Sequence, residues 1–142
     1  MVDVFLMNLS CIQPSQLWIS AEKLSRVQEH FVLIDVDALP PIPVKQLGCE
    51  VIFTDGHTRA LAAHLAGLSE VSVYWDEDDL DWEAYEICVG WCKEVGIHTI
   101  TDLEGRVLST EEYEVLWHRR CDVMHQALEI KRSRGEISCL FS

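Results

Sequence analysis

Asp55, Gly56, His57, Thr58 and Arg59 stand between a strand-like run (Val51, Ile52, Phe53) and an alanine-rich helical pattern. A glycine at such a junction lets backbone approach a ligand, and the first N–H groups of a helix have no intrahelical acceptors. Anions are drawn to those donors and to the positive helix end. Arg59 adds a forked cation, and His57 adds a donor that titrates near neutrality. The chemistry these types predict at this spacing is the cradling of a phosphate. Asp55 would cap the helix or hold His57 in one tautomer. The same five residues also fit a plain helix start, in which Asp55 caps, Gly56 turns, and His57 and Arg59 face solvent.

Other groups carry less. Asp76, Glu77, Asp78, Asp79 and Asp81 could bind Mg²⁺ or Ca²⁺, but lack the glycine and bidentate glutamate of an EF-hand loop. They read better as a helix N-terminus and a solvated face. Cys88 and Cys92 lie one turn apart, and Cys121 could approach them. Without a second short-spaced pair a zinc site is disfavoured, and core thiols are expected. Cys139, near the end, is the cysteine expected to be exposed. His64, His118 and His125 read as surface residues. Of the five tryptophans, Trp18 or Trp75 could stack on a base; all five also suit core or interface anchoring.

The elements that must position the Asp55–Arg59 turn follow from pattern. Val4 to Ile12 reads as a first strand, and Pro14-Ser15 as a turn. Ser20 caps a helix with Leu24, Val27 and Phe31 on one face. The run from Phe31 to Asp55 gives two or three short strands, "VLIDVDAL" among them, with Gly48-Cys49 as a hairpin turn. A helix from about Thr58 to Ala66 ends at Gly67 in a left-handed cap. "EVSVYW" alternates as a strand. A further helix opens in "DEDDLDW", turns Tyr85, Cys88, Cys92 and Val95 inward, and stops at Gly96. The last helix starts at a Ser109/Glu112 capping box. Its apolar stripe is Tyr113, Leu116, Trp117, Cys121, Met124 and Leu128. The order predicts an α/β (α+β) fold: a small mixed sheet with flanking helices over 1–76, then a helical extension over 77–142 packed on it.

Composition bounds the function. At 142 residues, 49% hydrophobic and 25% charged, the chain can build a core. Its formal charge is 11 − 24 = −13. Through Trp75 there are 4 basic and 8 acidic residues, and from Asp76 onward 7 and 16. Such a chain repels nucleic acid at long range, which weighs against DNA binding. The first residues lack a basic region and the apolar length of a signal peptide or membrane span. Together with six cysteines read as reduced thiols, this predicts a cytoplasmic protein with no membrane partner.

Gly56-x-x-Arg59-x-x-Ala62-Ala63-x-Leu65-Ala66-Gly67-Leu68, followed by "SEVSVYW", resembles the central box of the ParB/sulfiredoxin superfamily. "LPPIPVKQLGCEVIFTDG" resembles that family's approach to the box, and "IQPSQLWISAEKLSRVQEH" its N-terminal strand, proline turn and helix. The resemblance runs from about Leu9 to Trp75. Partition proteins carry Glu-Arg-Arg after the glycine, where this chain has His57-Thr58-Arg59. Sulfiredoxins place a catalytic cysteine where this chain has His57, so their reductase chemistry does not transfer. The "DGHxR" form is similar to the ADP-dependent free serine kinase branch.

The resemblance implies that Asp55, Gly56, His57, Thr58 and Arg59 bind nucleotide phosphates, as ADP, ATP or CTP with Mg²⁺. His57 or Arg59 would offset charge on a transferred phosphoryl group. It also implies a catalytic glutamate on the first helix, Glu22, with Glu29 as second choice. The expected function is small-molecule phosphotransfer from a nucleotide to a small acceptor. The alternative is a non-catalytic regulatory or interaction module, a nucleotide sensor. A DNA-binding protein or nuclease ranks behind both. The apolar face of the last helix would serve a homodimer or close the core.

Overall fold

The computed structural model describes residues 3–33 and 39–139, with side chains over 3–30 and 39–134. Strand β1 (Val4–Asn8) is stopped by the Asn8 side chain, which accepts a 2.9 Å bond from the Ser10 N–H and starts a 3₁₀ turn at Leu9–Cys11. The expected first strand to Ile12 is therefore broken, and Ile12–Gln13 form a separate β2. β3 (Ile19–Ser20) leads into α1 (Ala21–Leu33), where the Ser20 hydroxyl accepts from the Lys23 N–H as the sequence predicts. Val32 and Leu33 end α1 and are not strand, while residues 34–38 of the expected "VLIDVDAL" strand lie outside the described residues.

β4 (Ile42–Leu47) and β5 (Glu50–Phe53) form the predicted hairpin, turning at Gly48 with φ of 62°. Then come α2 (His57–Leu65), β6 (Glu70–Trp75) and α3 (Trp82–Glu94). A 3₁₀ turn (Ile100–Leu103) and β7 (Val107–Leu108) precede the last helical run. That run is α4 (Thr110–Tyr113), a π turn (Glu114–His118) and α5 (Arg119–Cys139). The main sheet has the order β1-β6-β4-β5-β2, with β1/β6 and β4/β5 antiparallel and β4/β6 and β2/β5 parallel. β3 and β7 pair parallel in a second, two-stranded sheet. The architecture is mixed α/β, as expected.

One apolar core joins both halves of the chain. Phe53, Leu61 and Val73 are packed in the same cluster as Cys88, Ile97, Leu103, Trp117 and Leu128. Residues after 76 therefore close the core, and through β7 they also extend a sheet. α2 can lie deep in it because its inward residues are Ala60, Leu61, Ala62 and Ala63, mostly small. Burying a side chain such as Leu61 contributes about 1.5–3 kcal/mol.

Two expected inward residues point out. Val95 is exposed because the chain leaves the helical path at Gly96 (φ 80°), and Ile97 takes the interior place. Leu116 is exposed because the π turn interrupts the 3.6-residue period; Tyr113 and Trp117 on either side remain buried. Val115, Val123 and Ile130 are exposed on the same helical run.

Candidate functional site

His57 is the first residue of α2, and its side chain is buried. The chain before β3 passes over it: the Ser15 N–H donates to Nε2 at 2.9 Å, and the Ser15 hydroxyl donates to the Phe53 carbonyl at 2.7 Å. A ring nitrogen that accepts from a backbone N–H carries no proton, so the imidazole is neutral and its proton is on Nδ1. Burial lowers the His57 pKa to about 4, against a smaller upward pull from the Asp55 carboxylate.

Nδ1 has no hydrogen-bond partner among the described residues. Among those residues, no side-chain nitrogen or oxygen is both fully buried and unbonded. Nδ1–H therefore reaches open space, in line with His57 lining two neighbouring cavities.

The first cavity, about 390 Å³, is cationic: Lys23 and Arg26 of α1 and Arg59 of α2 line it, with Asp55 as its one carboxylate among the described residues. Gly56, Thr58 and Tyr113 complete that wall with Gln16 and Val27. The N–H groups of His57, Thr58 and Arg59 have no acceptor among the described residues, because Gly56 caps α2 without a side chain. The second cavity, about 220 Å³, shares Gln16, Asp55 and His57 with the first. Its other walls include the apolar Ala84, Trp117 and Met124, the thiols of Cys88 and Cys121, and the acidic Asp81.

Gly56 has φ of 76°, and a Cβ there would stand 2.9 Å from Ile42 Cγ2 and 3.0 Å from Arg59 Nη2. Glycine is thus required both by conformation and by the arginine folded over it. Arg59 is half-buried, and its Nη1 donates to the carbonyls of Pro41 at 2.9 Å and Pro40 at 3.3 Å. Asp55 neither caps α2 nor sets the tautomer. Its Oδ1 accepts from the Gly56 N–H at 2.8 Å, and the tautomer is set by Ser15.

Glu22, the carboxylate expected as base, is on neither cavity wall. It pairs with Arg26 one turn along α1 and accepts from the Thr110 hydroxyl at 2.9 Å, which engages both its oxygens. Glu29 is exposed on α1 and also lines neither cavity. Arg26 and Lys23, one turn apart on that helix, take the place expected of a glutamate. They were legible as a basic pair at i, i+3. Ser15 and Gln16 carried no signal beyond the proline turn.

The remaining candidates are structural. Asp81 caps α3 and pairs with Arg132, whose guanidinium holds its carboxyl below the usual range. Asp76 accepts from the Thr54 hydroxyl at 2.7 Å. Trp18 is covered by the Arg106 guanidinium and Trp75 packs on Phe5; neither lines a cavity described above. His64 pairs with Glu104, and His118 with Glu114, as surface residues would. His125, exposed on α5, lies at the rim of the second cavity. No three His, Cys, Asp or Glu among the described residues gather as a metal site. No helix among them is long and apolar enough to cross a membrane.

No protein-family description and no curated protein matches the chain. Among solved structures it is similar to protein Atu1540 from Agrobacterium tumefaciens, with a TM-score of 0.51 and 12% identity, over 73% of this chain. The chain spans 63% of that protein, and the likeness is one of fold.

Proposed function

We propose that the cationic cavity binds a phosphate-bearing small molecule, as a nucleotide in the reading the ParB/sulfiredoxin resemblance supports. One observation carries this: Lys23, Arg26 and Arg59 line one cavity with the N-terminal turn of α2, whose first N–H groups and buried His57 Nδ1–H have no partner among the described residues. Among the described residues its charged side chains are these three cations and Asp55, and the surplus of positive charge fits phosphate oxygens. Mg²⁺ would enter with the nucleotide, on the phosphates.

In the enzyme reading, the second cavity holds the acceptor. Its hydroxyl oxygen bonds to the terminal phosphorus, the bond from phosphorus to the bridging oxygen breaks, and Asp55 takes the hydroxyl proton. His57 donates to a phosphate oxygen as a neutral imidazole, while Lys23, Arg26 and Arg59 offset the charge.

A nucleotide sensor is the second reading, favoured by the bonds from Arg59 to the Pro40 and Pro41 carbonyls. A phosphate that recruited Arg59 would loosen that segment from α2. The test is a thermal-shift panel of ADP, ATP, CTP and inorganic phosphate with Mg²⁺, on the parent protein and Arg59→Ala. A ligand at a hundred times its Kd stabilises by about 2.7 kcal/mol. Stabilisation lost in Arg59→Ala supports the cradle, and turnover with an acceptor then separates enzyme from sensor. No shift with any of the four would refute the phosphate reading.

A further inference from the structure

Cys88 lies on α3 and Cys121 on α5, two helices packed on one another. Both thiols line the second cavity, one from each helix, close enough for each to influence the other's ionisation. Cys88 is buried and Cys121 half-buried, so Cys121 is the more exposed of the two. Exposed ion pairs of Arg132 with Asp81 and of Lys131 with Glu83 also run between α5 and the start of α3. No third ligating side chain completes a metal site with them among the described residues. Cys92, one turn further along α3, is fully buried and is not on that cavity's wall.

We propose that Cys88 and Cys121 are a redox pair that a small hydroperoxide, entering through the second cavity, converts to a disulfide between α3 and α5. The neighbouring Cys88 thiol, and to a smaller extent the Arg120 guanidinium, favour the thiolate of Cys121 against burial and the Asp122 carboxylate. That thiolate attacks the hydroperoxide, breaking its O–O bond: the sulfur gains one oxygen as sulfenic acid, and the other oxygen leaves with its substituent as an alcohol. The Cys88 sulfur then attacks the Cys121 sulfur and expels water. In sum, two thiols are oxidised by two electrons, and one hydroperoxide is reduced to alcohol and water. The bridge would tie together two walls of the cavity next to His57. The inference stands apart from the phosphate reading, since it needs only the thiols and the cavity.

The test treats the whole chain with hydrogen peroxide or tert-butyl hydroperoxide, alkylates the remaining thiols, digests without reductant and maps the peptides. The expected product is a Cys88–Cys121 peptide on a monomeric band, reversed by dithiothreitol. Four of the six thiols would remain alkylatable. Cys92→Ser should leave the bridge intact, whereas Cys88→Ser should stop Cys121 at a sulfenic acid captured by dimedone. Both thiols still free while Cys11 or Cys49 oxidises would overturn the proposal, as would a bridge from Cys121 to Cys92. The peptide map of the parent protein decides this even where a variant fails to fold.

Discussion

Buried and neutral, His57 should make the fold acid-sensitive in a defined window. Its pKa is about 4 in the folded chain, against about 6.5 when unfolded. A group depressed in this way leaves stability intact above the unfolded value. As pH falls below it, the unfolded chain takes up a proton that the folded chain refuses, and stability drops until the folded value is passed. Linkage gives a loss of about 1.4 kcal/mol by pH 5.5 and about 2.5 kcal/mol by pH 4.5, relative to pH 7.5. The informative variant is His57→Gln, whose amide oxygen can still accept from the Ser15 N–H but cannot titrate. Urea unfolding of both proteins at pH 7.5, 6.5, 5.5 and 4.5 isolates the residue, because carboxylates and the other histidines contribute alike to each. The gap between the two stability curves should change by roughly the linkage values above. Parallel curves would mean that His57 takes up its proton in the folded state, and the neutral Nδ1–H donor would have to be abandoned.

Gly56→Ala should lower stability by about 1–2 kcal/mol from the left-handed backbone alone, and further through the contact with Ile42; denaturant midpoints measure it. Leu61→Ala, at a fully buried site on α2, should lose about 2–5 kcal/mol in the same assay. Arg132→Ala should cost under about 1 kcal/mol despite two carboxylate partners, because the cluster is exposed and screened; a larger loss would mean that it docks α5 on α3. Lys23→Ala combined with Arg26→Ala should leave the fold within about 1 kcal/mol of the parent, since both are exposed, but abolish stabilisation by nucleotide in thermal shift.

Legibility in the sequence followed the range of the interactions concerned. The strand–Gly56–helix junction, the Gly48 hairpin and the Gly67 and Gly96 stops rest on local backbone preferences, and all appear where the pattern put them. The two outward-facing errors, Val95 and Leu116, come from continuing a regular period through a helix end and a π turn. The π turn leaves no compositional trace, and Gly96 marks where the helix stops without showing which way the residue before it faces. Contacts across long separations were not legible. The Ser15 N–H reaches His57 over 42 positions, and Gln16 reaches Tyr113 over 97. Expecting Asp55 to fix the tautomer was a local guess at a job that a distant backbone N–H performs. Glu22 illustrates the converse: its place on α1 was found, but the direction of its side chain is set by Thr110, far along the chain.

The charge distribution adds a constraint on what the first cavity can hold. With a net charge of −13, the whole-molecule field repels a polyanion at separations near the Debye length, about 8 Å at physiological salt. Inside the cavity the balance reverses, because among the described residues Lys23, Arg26 and Arg59 share its wall with one carboxylate, Asp55. A long nucleic acid would meet the repulsive surface over most of its length and gain only a few local contacts. A small phosphate ester escapes most of that repulsion and collects all the donors at once. The enclosed Nδ1–H of His57 sharpens the distinction, since a neutral donor adds directional hydrogen bonding without changing the long-range field. On the proposed phosphate reading, a preference for a small anion over a polymer would follow from where three cations are placed in an acidic chain.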